Sequence, residues 1–169
     1  MKHIGIFTHN YPRNSQERKD AGVFVYDFAQ KLSDDVKVCV FCSDLRGKKE
    51  EYKKVPVHWF DWGGTKKKLG NWGVFSPLSI INFIKLMVIG CKKAYFFANK
   101  NKLDYCLAVW ALPSSVYTYF IKKKLGIPYA IWCLGSDINK YAKLPILRQL
   151  IIVSLSRVPS VQVNWCVVL

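Results

Sequence analysis

The feature that most constrains this chain is an alternation repeated along its length. A short apolar run that reads as a buried strand is followed by a longer stretch with helical spacing, and the pair recurs. His3–Thr8 is the first apolar run, and a polar loop from Asn10 to Asp20 follows it. Gly22 then opens a helical stretch to about Leu32, with Phe24, Phe28 and Leu32 at i, i+4 and i+8 on one face. Val36–Cys42 is a second strand, rich in β-branched residues. Val55–Phe60 is a third, and Pro56 places it near a sheet edge. Ser76-Pro77 starts a long helix running to about Ala98. Asp104–Val109 is a fourth strand. Pro113-Ser-Ser starts a helix that ends in Lys122-Lys123-Lys124, with Gly126 as its C-cap and the cations suiting its dipole. Pro128–Cys133 is a fifth strand, Leu144 to about Ser156 a further helix, and Val161–Val163 a candidate last strand.

Strand-then-helix repetition with buried strands implies the α/β class: a Rossmann-like parallel sheet with helices on both faces. With 169 residues the chain corresponds to one domain, read as residues 1–163 with a tail at 164–169. A composition 51% hydrophobic and 22% charged excludes a disordered chain. No export signal is read at Met1-Lys2-His3, so the six cysteines are expected to be reduced, and Cys39-Val-Phe-Cys42 to be part of a buried strand. The long helix is interrupted by Lys85, Lys92 and Lys93, and Tyr105–Ile121 by Pro113, Ser114 and Ser115, so neither is read as membrane-spanning. The expected location is cytoplasmic.

Ligands of such sheets bind at the carboxyl ends of the strands. That rule selects the loops His9–Gly22, Asp61–Pro77, Trp110–Ser114 and Leu134–Lys140. The first loop holds no GxGxxG, which argues against NAD or FAD, and the chain has no GxxxxGK[ST], which excludes a P-loop. Gly22 admits an anion to the free amides of a helix N-terminus, or is a plain helix cap. Ser136 and Asp137, beside Gly135, suit sugar hydroxyls, although an Asx turn has the same sequence. Trp110 suits stacking on a sugar or burial beneath its loop. His9 suits a ligand contact, a general base or a strand-end hydrogen bond. His3 and His58 read as structural. No catalytic triad and no metal site emerge from the spacing.

Three stretches, in order, resemble the N-terminal lobe of the two-lobed (GT-B) retaining glycosyltransferases of the group 1, family 4 type. They are Ile4-Gly-Ile-Phe-Thr-His-Asn-Tyr-Pro12 with Gly22-Val-Phe-Val25; Asp104-Tyr-Cys-Leu-Ala-Val-Trp-Ala-Leu-Pro-Ser114; and Leu125-Gly-Ile-Pro-Tyr-Ala-Ile-Trp-Cys-Leu-Gly-Ser-Asp-Ile138. The resemblance implies sugar transfer from a nucleotide-sugar co-substrate with retention and without a metal or other cofactor. It implies donor-binding roles for Gly22, Gly135, Ser136 and Asp137, and acceptor-side roles for His9, Asn10, Trp110 and Ser114. Leu134, and Leu107 with Val109, stand where many relatives carry histidine. The family's second, donor-binding lobe has no counterpart in this sequence, so the expectation is a truncated or separately completed enzyme, inactive by itself.

The balance of 26 Lys+Arg against 11 Asp+Glu gives a net charge of +15 and implies an anionic partner. The resemblance directs this to a sugar or lipid-linked acceptor at an anionic inner-membrane face, with the lobe docking peripherally. The rival reading is a non-catalytic basic module for nucleic acid or a partner subunit. The lysines are not interleaved with aromatics in any nucleic-acid motif, which disfavours nucleic acid.

Overall fold

Strands covered on both faces need apolar side chains in both directions, and this requirement builds the centre of the molecule. A computed structural model describes residues 1–12, 22–44, 54–64, 77–134 and 144–156. Within them the order is β1 (His3–Thr8), α1 (Val23–Leu32), β2 (Lys37–Ser43), β3 (Val57–Phe60), α2 (Pro77–Lys100), β4 (Tyr105–Val109), α3 (Ser114–Leu125), β5 (Tyr129–Trp132) and α4 (Pro145–Leu155). The five strands form one parallel sheet in the order β3-β2-β1-β4-β5. β1 pairs with β2 from His3↔Lys37 to Thr8↔Cys42, and with β4 from Ile4↔Tyr105 to Phe7↔Ala108. The α/β parallel-sheet class expected from the alternation is therefore present, and β3, preceded by Pro56, is an edge strand.

The alternation of side chains along each strand divides the core in two. Phe7, Cys39, Phe41, Cys106, Ala108, Tyr129 and Ile131 face α2, α3 and α4. Ile6, Val38, Val40, Cys42 and Val109 face α1. Helices thus cover both faces. On the three-helix side the Phe41 ring stacks on Phe60 at 4.5 Å and meets Phe97 at 5.1 Å. Helices α2 and α3 approach closely because residue 90 is glycine: a Cβ there would lie 2.4 Å from the buried Tyr117 ring. The Tyr129 hydroxyl donates to the Ser154 carbonyl and ties β5 to α4.

The same alternation explains the cysteines. Cys39 belongs to the three-helix core and Cys42 to the α1 core, on opposite sides of the sheet. They cannot share a metal ion, and burial pushes the Cys39 thiol up to about 12, which keeps it protonated. Cys39, Cys42, Cys91, Cys106 and Cys133 are all free thiols.

Helix α1 departs from its sequence reading in one respect. Its buried residues are Val25 and Ala29, whereas Phe28 is 36% exposed. Small residues sit against the sheet, and the large rings of Phe24 and Phe28 reach sideways to Trp132, each at a T-shaped angle. The ends of α3 follow the sequence: Gly126 is left-handed (φ 74°), its amide donates to the Lys122 carbonyl at 3.0 Å, and Lys122–Lys124 fill the last turn. His3 is structural as expected, its Nδ1 lying 2.8 Å from the Asn101 carbonyl and its amide donating to Asp104. His58 stacks on Phe41. Among the described residues no helix is long and apolar enough to cross a membrane. The candidate strand Val161–Val163 and the tail lie outside the described residues.

Candidate functional site

In a parallel sheet every strand ends on the same edge. The strand order reverses between β1 and β4, where the two neighbouring connections depart to opposite sides and leave a crevice. The residues just past these two strands are therefore the first place to look. They are His9 to Pro12 after β1, and Trp110 to Pro113 after β4.

The loop after β1 is locked from within. The Thr8 hydroxyl donates to the Asn10 carbonyl at 3.1 Å and accepts from the Asn10 amide at 3.3 Å. This clasp folds the chain back toward α1, whose N-cap is Gly22. Gly22 has φ 115°, a left-handed value that disfavours any side chain. A Cβ there would lie 2.8 Å from the Asn10 carbonyl oxygen. The room left by the missing side chain is thus taken by the loop itself, so the glycine serves the close packing of Asn10 against the helix start. The first turn of α1 has no acidic residue, and among the described residues no side chain caps its amides.

Sequence reasoning placed both His9 and Trp110 at strand ends, and the fold brings them together. Their ring centroids are 4.6 Å apart. Trp110 is held in the left-handed region (φ 70°), unusual for so bulky a residue, and its amide donates to the Trp132 carbonyl at 3.0 Å. Its ring is buried, with Phe24 set edge-on at 5.5 Å. Trp110 is therefore not an open stacking platform; it is the wall against which His9 rests.

His9 as a residue is half-buried, but its Nδ1 is fully enclosed and has no hydrogen-bond partner among the described residues. Burial lowers its pKa from the usual 6.5 to about 4, because nothing nearby compensates the cost of desolvating a cation. At neutral pH the ring is neutral. It is a poor base, since little of its intrinsic proton affinity remains, but a good hydrogen-bonding group for a neutral partner. Of the roles open to it from the sequence, a ligand contact fits this electrostatic setting better than proton abstraction.

Ser114, the first residue of α3, is fully buried, and its Oγ also lacks a partner among the described residues. Its carbonyl accepts from Thr118 Oγ1 at 3.4 Å, and the neighbouring Ser115 hydroxyl donates to the Ala111 carbonyl. Buried polar groups are nearly always satisfied; His9 Nδ1 and Ser114 Oγ are exceptions at this edge, as His3 Nε2 and Tyr105 Oη are at the opposite one, so the orphans mark strained polar positions at both edges. Gly135, Ser136 and Asp137 follow β5 in the sequence and lie outside the described residues. Sequence reasoning missed Thr8, whose clasp sets Asn10, and Phe24 with Trp132, which frame Trp110. A hydroxyl ending an apolar strand two residues before an asparagine was the available sign of the first. Among the described residues no cluster of His, Cys, Asp and Glu is suited to a metal ion. No protein-family model matches the chain, and no curated protein matches it either.

Proposed function

We propose that this chain is the acceptor-binding lobe of a retaining, two-lobed glycosyltransferase that draws its sugar from a nucleotide-sugar donor without a metal. The observation that carries the reading is the pairing of His9 with Trp110 at the strand-order reversal, with His9 Nδ1 enclosed and partnerless. These residues belong to the stretches whose order resembles that family.

In this reading His9, neutral at physiological pH, exchanges a hydrogen bond with a sugar hydroxyl through Nε2, because its Nδ1 is enclosed. Trp110, itself buried, fixes the imidazole plane. Thr8 holds the Asn10 loop, and Asn10 and Ser114 border the acceptor side. Gly22 sits near the donor phosphates through the amides opening α1, where the helix dipole favours negative charge. Gly135, Ser136 and Asp137 contact the donor sugar. A second lobe supplies the remaining donor contacts, so the lobe alone does not turn over. The acceptor is a sugar or a lipid-linked saccharide.

The test is saturation-transfer NMR on the full chain with a panel of nucleotide-sugars and short oligosaccharides, paired with a turnover assay. The reading expects weak saccharide binding that His9→Gln reduces roughly tenfold, the value of one lost hydrogen bond, and no transfer by the lobe alone. Robust transfer by this chain alone would overturn its assignment as half an enzyme. Salt-sensitive nucleic-acid binding with no saccharide binding would favour the basic module instead.

A further inference from the structure

The layer formed by α2, α3 and α4 has a composition unlike the rest of the molecule. These three helices carry eight cations, Lys85, Lys92, Lys93, Lys100, Lys122, Lys123, Lys124 and Arg148, and no Asp or Glu. Among the described residues none of the eight is in an ion pair; the pairs present join Asp34 to Lys31 and Lys54. Helix α1, on the other face, balances Asp27 with Lys31.

The outer side of α2 is also apolar. Leu86, Gly90, Ala94, Phe97 and Ala98 point inward, as a core-facing helix requires. Yet Leu78 is 67% exposed, Ile81 60%, Val88 64% and Phe96 57%, with Ile80 and Ile84 also more than half exposed. Ile81, Lys85, Val88 and Lys92 fall at i, i+4, i+7 and i+11, one stripe of the helix. Scattered exposed aliphatics are ordinary, but six on one helix form a patch that marks an interaction surface. Beside the patch, Met87, Val88, Cys91, Tyr95, Phe96 and Phe120 line an open groove of about 670 Å³, with Lys92 and Lys124 also on its walls. Lys124 lies over the Phe120 ring at 5.9 Å.

We propose that the α2–α3 face is a docking surface for an anionic lipid leaflet. Exposed Ile, Val, Leu and Phe on a helix lying in the plane of the interface enter the acyl boundary. Lysines on long stems reach back to the headgroups. Charge complementarity selects the occupant: an acid-free layer with eight cations attracts phosphate-bearing lipid and repels a second copy of the same basic face. Helix α2 runs opposite to the strands, because it returns the chain from β3 to the start of β4. Its apolar first half therefore lies at the carboxyl edge, the end that carries His9. Under the proposed function, in which the lobe binds a lipid-borne acceptor, docking here brings acceptor and site to the same end of the molecule.

The test is vesicle flotation with the full chain, using phosphatidylcholine alone and phosphatidylcholine with roughly one-third phosphatidylglycerol, at low and high salt. Two triple variants accompany it, Ile81→Ser/Ile84→Ser/Val88→Ser and Lys92→Gln/Lys123→Gln/Lys124→Gln, with far-UV circular dichroism as the control for folding. The expected result is salt-sensitive binding to the anionic vesicles, weakened about tenfold or more by each triple variant, from the few-fold contribution of each lysine and each buried aliphatic. Hydrogen exchange on the wild type, which needs no variant, is expected to slow within α2 when anionic vesicles are added. Absent binding, equal binding to both vesicle types, or exchange protection outside α2 and α3 overturns the proposal. Self-association lost in the aliphatic variant, without vesicle binding, assigns the face to a second copy. RNA binding lost only in the lysine variant, without vesicle binding, assigns it to nucleic acid. No sugar is involved, so vesicle binding without saccharide binding leaves this inference standing and removes the proposed function, and the reverse result does the opposite.

Discussion

The two faces of the sheet bury their strands by different means. The three-helix face interlocks large rings: Phe7, Phe41, Phe60, Phe97 and Tyr117 contact one another in tilted, stacked and edge-on pairs. The α1 face meets the sheet with Val25 and Ala29 and moves its aromatics to the rim, where Phe24, Trp110, Trp132 and His9 gather. The three-helix layer keeps its own unsatisfied atoms, Ser114 Oγ and His3 Nε2, whereas the rim combines a left-handed tryptophan with an enclosed imidazole nitrogen.

The contrast can be broken most forcefully from the packed side. Phe41→Ala removes a fully buried ring and is expected to cost about 3–5 kcal/mol in denaturant unfolding. Val25→Ala, the corresponding change beneath α1, is expected to cost less, about 1–2 kcal/mol. Equal losses would erase the distinction between the faces.

The rim has a signature in pH. The folded pKa of His9, about 4, lies below its unfolded value near 6.5, so the unfolded chain binds the extra proton between them. His9 therefore leaves stability undiminished above pH 6.5 and lowers it as pH falls from 6.5 to 4, by about 3 kcal/mol. His9→Gln should flatten that part of the stability–pH curve; an unchanged slope would mean the ring is not desolvated.

A smaller effect separates the loop from the helix it packs on. Gly22→Ala places a Cβ against the Asn10 carbonyl at a left-handed φ and is expected to cost about 1–2 kcal/mol, with faster amide exchange at Asn10 and in the first turn of α1. At the bottom of the scale, Ile84→Ser on the outer side of α2 should move the unfolding midpoint by no more than about 0.5 kcal/mol, because that side chain has little protein contact to lose.

The strands were legible because parallel strands must be apolar on both sides, so Val38–Cys42 and Cys106–Val109 stand out as unbroken runs. Pro56 marked the edge, and Gly126 with three lysines marked a helix end, because these residues act through local backbone physics. What stayed hidden depends on tertiary distance. Spacing put Phe24 and Phe28 on one face of α1, but only the sheet beneath decides that Val25 and Ala29 fit closest. Gly90 shows no sign in the sequence of the Tyr117 ring it accommodates. His9 and Trp110 were each readable as strand-end residues, whereas their contact, the burial of Trp110 and the lowered pKa of His9 follow from the strand-order reversal that places β1 beside β4.

In the proposed function His9 is a neutral, hydrogen-bonding group enclosed at the carboxyl edge of the sheet. The most direct test is the pH titration of the histidine ring signals by NMR, with His3→Gln and His58→Gln used for assignment. The His9 ring is expected to titrate at about 4. A midpoint near the ordinary 6.5 would show the ring open to water and contradict that reading.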